Sequence, residues 1–97
     1  MQNIIFHPDV HIEIQNAYTW YEPQSDGLGS DFINELESAY ISIKQMPHAW
    51  PSLSKSIHRY ILKKFPYGIL YSIKDENIFI IAVMHLHRKP GYWEKRI

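Results

Sequence analysis

The stretch from Ile78 to Leu86 is the most continuous apolar run in the chain. It reads as a central strand buried on both faces, the kind of strand that shows neither the alternation of a half-exposed strand nor the stripe of an amphipathic helix. The rest of the chain has to be arranged around it. Upstream, Ile57 to Leu62 alternates as a strand, Lys63-Lys64 is a polar turn, and Tyr67 to Ile73 makes another strand. Lys74-Asp75-Glu76-Asn77 is a hairpin loop leading into the central run.

The first half follows a different period. Asn3 to Phe6, stopped by His7-Pro8, reads as a short strand, because proline removes a ladder donor. Val10, Ile14, Ala17, Tyr18 and Tyr21 then recur at helical spacing, which predicts an amphipathic helix between Pro8 and Pro23. After the turn cluster Gln24 to Gly27, a second stripe runs through Leu28, Phe32, Leu36, Ala39, Tyr40, Ile43 and Met46, and Pro47 ends it. Two helices joined by so short a turn form an antiparallel hairpin that must pack on a sheet. His48 to Ser56 is expected to be an irregular connector. The predicted fold is α+β: an N-terminal strand, a helical hairpin, then a three-stranded antiparallel meander (β-α-α-β-β-β), with the first strand at or beside the last. The expectation is one domain over residues 1–97, a length that suits one core and not two.

Composition removes several functions. There is no cysteine, so disulfides, thiolate nucleophiles and cysteine zinc sites are excluded, and a reducing cytoplasmic setting fits. The start of the chain lacks the features of a signal peptide, and the longest apolar stretch, Ile78 to Met84, falls far short of the roughly 20 residues that cross a bilayer. No membrane partner is expected. Ten Lys and Arg balance ten Asp and Glu, which leaves no global excess of positive charge for holding phosphates. The charges are nonetheless segregated. From Ile12 to Met46 six carboxylates face the single Lys44, whereas from Lys55 to Ile97 nine cations face three acids, so the second half is the candidate anion-facing surface and the helical half the acidic one. Trp20 and Tyr21 are adjacent on the first helix and cannot both face the core; one of them, with Ile12, is expected in an exposed apolar patch for a partner.

The order of elements and the segments Arg59 to Tyr71 and Ile80 to Trp93 resemble toxins of the RelE/ParE superfamily of bacterial type II toxin-antitoxin pairs. The resemblance lies in a basic strand, the Phe65-Pro66-Tyr67 step into the next strand, and the close Ala82-Val83-Met84-His85 through Arg88, Pro90, Tyr92 and Trp93. Gly27-Leu28-Gly29 and Phe32 to Glu37 are similar in the helical half. It implies a plasmid-stabilisation or addiction toxin that inhibits growth when free and is silenced by a cognate antitoxin, as a homo-oligomer or a toxin-antitoxin hetero-oligomer. It also implies one of two targets. ParE-like members act on DNA gyrase, and RelE-like members cut messenger RNA on the ribosome. An inactive toxin-fold binding module is the third reading.

A metal-independent endoribonuclease must activate a 2'-hydroxyl, stabilise the extra charge and protonate the leaving oxygen. His87, Arg88 and Tyr92 are the candidate catalytic residues for that chemistry, and Arg59, Lys63, Lys64 and His85 the candidates for target or phosphate contact. Gly68 stands where some RelE-like nucleases carry a basic residue, and Arg88 follows His87 where one branch has tyrosine, so the ParE-like branch is favoured. No cofactor or metal is expected, because a His85-x-His87 pair on a strand needs a third ligand such as His58 to chelate.

Overall fold

The computed structural model describes residues 3–54, 56–89 and 91–97. Lys55 and Pro90, and with Pro90 one position of the closing motif, lie outside the described residues. A short strand β1 (Ile4–Phe6) leads into α1 (Pro8–Tyr21), a 3-10 turn (Glu22–Gln24) and α2 (Leu28–Gln45). Four further strands follow, β2 (Ser52–Ser54), β3 (Ile57–Ile61), β4 (Tyr67–Lys74) and β5 (Asn77–His85), before a 3-10 turn at Glu94–Arg96. The sheet order is β1-β5-β4-β3-β2, with β1 parallel to β5 and the other pairs antiparallel. Apart from the added edge strand β2, the predicted α+β order is the observed one, and β1 lies beside the last strand.

Both helices begin with local devices. Pro8 occupies the first position of α1, and the His7 ring accepts the Asp9 N–H at 3.1 Å. At α2 the Glu22 carboxylate reaches from the preceding turn to accept the Gly27 and Gly29 N–H groups at 3.0 and 2.9 Å, and these bonds, Gly27 first, hold its pKa below the usual value. Gly29 also lets the helices close: a Cβ there would stand 2.8 Å from the Tyr18 ring. The β4–β5 hairpin turns through Asp75 and Glu76, both at positive φ, as a two-residue turn matched to the twist of its strands.

One face of the sheet carries the helices. Val10, Ala17, Phe32, Leu36, Ala39 and Ile43 pack there on Tyr60, Ile69, Tyr71, Ile78, Ile80 and Val83. The Phe65-Pro66-Tyr67 step packs too, its rings meeting Tyr21 and Phe32 at centroid distances of 4.9 to 6.2 Å. On the opposite face Trp93 of the tail covers Ile57, Leu70, Ile81, Ala82 and Met84.

A bulge in β5 sets this division. Leu70 pairs with Ala82 but Tyr71 pairs with Ile80, so Ile81 is an extra residue and the face that Ile80 lines is continued by Val83 rather than Ala82. Both faces of β5 are buried across Ile80–Met84, as expected of the central run.

The connector departs from expectation. Within His48–Ser56 the chain forms β2, paired with β3 at Ser52–His58 and Ser54–Ile57 across an irregular register, and the Pro51 carbonyl accepts the Arg59 N–H at 3.0 Å. A three-residue polar edge strand has too few positions to show alternation.

Candidate functional site

The candidate residues from the second half do not assemble in one place. Arg59 projects from β3 onto the sheet face opposite the helices, its methylenes alongside Gly68 of β4: a Cβ on Gly68 would meet the Arg59 Cγ and Cδ at 3.4 and 3.5 Å. A basic side chain at position 68 would thus have shared this face with Arg59, and glycine leaves that place empty. Lys63 and Lys64 lie at the other side of the molecule, in the turn after β3, where their backbone N–H groups both donate to the Glu35 carboxylate of α2.

His85 ends β5 with its ring against Tyr67, and the following turn brings His87 back so that its N–H donates to the His85 Nδ1 at 3.1 Å. The two rings are 5.4 Å apart. His58, which a chelating pair would need, is on the helix face instead, stacked on Tyr71 with Nδ1 2.8 Å from the Trp50 carbonyl oxygen.

Arg88 and Tyr92 do come together, around a residue that sequence reasoning assigned to the acidic surface. Glu13 of α1, its side chain only 8% exposed, accepts the Tyr92 hydroxyl at 2.5 Å, the Val83 N–H at 3.0 Å and the Arg96 Nη1 at 3.0 Å, with the Arg88 Nη1 at 3.8 Å. The guanidinium carbon of Arg88 lies over the Tyr92 ring, 3.6 Å from its centroid, and the side chain stays half exposed. Arg96 donates on to the Ile81 carbonyl at 3.1 Å.

The geometry has a cause in the sheet. β1 pairs β5 only as far as Ile80, and beyond it the bulge turns the Val83 N–H and the Ile81 C=O to the open edge, where Glu13 and Arg96 satisfy them. Burial, then the bond to Glu13 and its charge, push the Tyr92 pKa up, so its hydroxyl keeps its proton. Burial, the largest single influence, opposes the charge on Arg96, but the bond to Glu13 and the neighbouring Glu13, Tyr92 and Asp9 together outweigh it and raise the Arg96 pKa. Glu13 was legible in principle: it sits three residues after Val10 and four before Ala17, inside the buried stripe of α1.

Glu13, Glu22 and Glu35 all accept backbone amides, Glu13 withdrawn from water and the other two at the surface.

An open groove of about 450 Å³ on the sheet face opposite the helices is lined by Leu53, Arg59, Met84, Leu86, Arg88, Trp93 and Glu94 among others. Trp20 and Ile12 are 67% and 55% exposed on α1, while Tyr21 turns inward to Phe32 and Phe65, so the outward member of the aromatic pair is Trp20.

An N-terminal strand, a helical hairpin and a C-terminal antiparallel sheet match the architecture of the RelE/ParE toxin superfamily. A family model for the ParE toxin of the type II toxin-antitoxin system parDE matches residues 4–90, and the chain belongs to that family. Two solved structures share the fold. A chain of the chromosomal ParDE toxin-antitoxin system from P. aeruginosa superposes with a TM-score of 0.74 at 13% identity, covering 88% of this chain and 96% of that one. The isolated RelE toxin of E. coli superposes with a TM-score of 0.66 at 18% identity, over 98% of this chain and 95% of that one. No curated protein matches the sequence. Among the described residues no helix is long and apolar enough to cross a membrane.

Proposed function

We propose that this ParE-family toxin arrests growth by binding a protein target, DNA gyrase, and is held silent by a cognate antitoxin, rather than by cutting RNA. The observation that carries this reading is the commitment of the Tyr92 hydroxyl to Glu13, with Lys63 and Lys64 set away from the groove that Arg59 and Arg88 line. Arg59 stands on one sheet face and Lys63 and Lys64 beside α2, and the Tyr92 hydroxyl is committed to Glu13. The empty place at Gly68 removes the cation that would stand beside Arg59. Proton transfer to and from a ribose and a phosphate needs its acid, base and cations within hydrogen-bond reach of one reacting centre. Protein binding has no such requirement, and the exposed Trp20 and Ile12 suit it.

Controlled induction in a bacterial host tests the proposal. Growth arrest with filamentation and DNA-damage signalling, together with loss of supercoiling by purified gyrase, is the expected outcome. Rapid translation arrest with codon-positioned cuts in messenger RNA would replace it with the nuclease reading. An absence of any growth defect across several hosts would leave a toxin fold that only binds.

A further inference from the structure

We infer that the hollow between the two helices is a binding site for a small organic amine, whose apolar body sits on Val10, Ile14, Ile33 and Leu36 and whose ammonium group is held at the Glu37 carboxylate.

The hollow follows from how the helices meet. At the loop end Gly29 brings α2 close to α1, and a Cβ there would stand 2.8 Å from the Tyr18 ring. At the other end the two helices face each other through larger side chains, Val10 and Ile14 on α1 and Ile33, Leu36 and Tyr40 on α2. A cavity of about 410 Å³ opens between them, bounded by Phe6 and His7 where β1 passes into α1. Small organic molecules are held in cavities of about 300–1,000 Å³, mostly apolar and with a few polar groups to orient them. The cavity shares no lining residue with the groove on the far face of the sheet.

Charge complementarity selects the occupant. Among the described residues that line the cavity, Glu37 is the only Asp, Glu, Lys or Arg, and it forms no ion pair among the described residues. Hydrocarbon set on the floor leaves water, while an ammonium group beside Glu37 makes a charge-assisted hydrogen bond at the exposed rim. An anion of the same shape would meet the Glu37 charge with no lysine or arginine in the wall to offset it.

Tyr40 supplies a second acceptor. Its hydroxyl is withdrawn from water and has no hydrogen-bond partner among the described residues, a state that folded chains rarely leave unresolved. The Glu37 charge acts on this phenol, adding to burial in raising its pKa, so carboxylate and hydroxyl lie in the same part of the cavity. Phe6, itself 45% exposed, packs edge-on against the Tyr40 ring at 5.2 Å between centroids. An ammonium that enters beside Phe6 and lifts its ring carries three donors, enough to reach the carboxylate and the phenol oxygen together.

Amide-resolved NMR titration of the full chain tests this with three probes of one shape, phenethylamine, phenethyl alcohol and phenylacetate. The amine is expected to shift the amides of Val10 to Ile14 and Ile33 to Tyr40 saturably, and to bind about tenfold more tightly than the alcohol, the worth of one charge-assisted bond. Phenylacetate is expected to bind more weakly than either. In Glu37→Gln the amine should lose its advantage over the alcohol, with the urea midpoint of the variant unchanged because Glu37 is exposed and makes no ion pair. His11→Trp, a bulky group at an exposed position of the rim, should weaken both probes together. An amine that binds no better than the alcohol, that keeps its advantage in Glu37→Gln, or that shifts amides away from this end of the helices overturns the site.

Discussion

Glu13 gathers a backbone amide, a phenol and a guanidinium onto one carboxylate that is almost withdrawn from water. Its contribution comes less from any one bond than from what its absence would leave: the Val83 N–H, the Tyr92 hydroxyl and the Arg96 charge all facing a part-buried edge without an acceptor. Glu13→Ala is therefore expected to destabilise the fold by about 2–4 kcal/mol, and Glu13→Gln by less, since an amide oxygen still accepts one of the bonds. Urea unfolding of the two variants measures this, and midpoints indistinguishable from the parent chain would show that the hub holds nothing. The carboxylate could have been noticed from its place in the buried stripe of α1. Its partners could not, because Val83, Tyr92 and Arg96 lie about 70 to 80 residues further on, in two other elements. Lys63 and Lys64 are near Arg59 in sequence, yet the end of β3 and the amide contacts to Glu35 on α2 divide them from it. Residue type was legible at these positions, and assembly was not.

Between elements, the least regular part of the chain completes the core. The tail has only one short 3-10 turn, yet Trp93 closes the sheet face that the helices leave open, and Arg96 finishes the edge of β5. Trp93→Ala would open a cavity over Leu70, Ala82 and Met84 and is expected to cost about 3–5 kcal/mol, as large core truncations do. Truncation after Lys89 should cost at least as much and expose a sheet face that aggregates, which light scattering at increasing concentration would reveal; a truncated chain with an unchanged urea midpoint would remove the tail from the core. The helices, β3, β4 and β5 were readable because each repeats its period over several residues, and β1 because Pro8 marks its end. The bulge at Ile81 was not. In a run where every side chain is apolar, one inserted residue changes no letter of the pattern while exchanging the faces of everything beyond it. β2, at three residues, offered no period at all.

Over the whole molecule, tyrosine distributes one property across layers that otherwise have separate cores. Tyr21 and Tyr67 belong to the aromatic cluster under the helices, Tyr40 sits beneath Phe6, Tyr71 donates its hydroxyl to the Pro47 carbonyl at 2.6 Å, and Tyr92 joins the tail to α1. Burial raises the pKa of all five; Tyr71 is pushed up to about 12. A tyrosine that ionises later in the folded chain than at its unfolded value of about 10 adds stability below that value. The addition is lost as pH rises from about 10 through the folded value, because the unfolded chain releases its proton first. The urea midpoint is accordingly expected to decline as pH climbs past about 10, with the phenolate absorbance of these five tyrosines appearing together with unfolding rather than ahead of it. Tyr92→Phe separates this cause from other alkaline titrations. It removes the bond to Glu13 and so should lower the midpoint at neutral pH, but it also removes one ionisation, so its alkaline decline should be shallower than that of the parent. Parallel declines in the two chains would mean that the ionisation of Tyr92 contributes nothing to the alkaline limit.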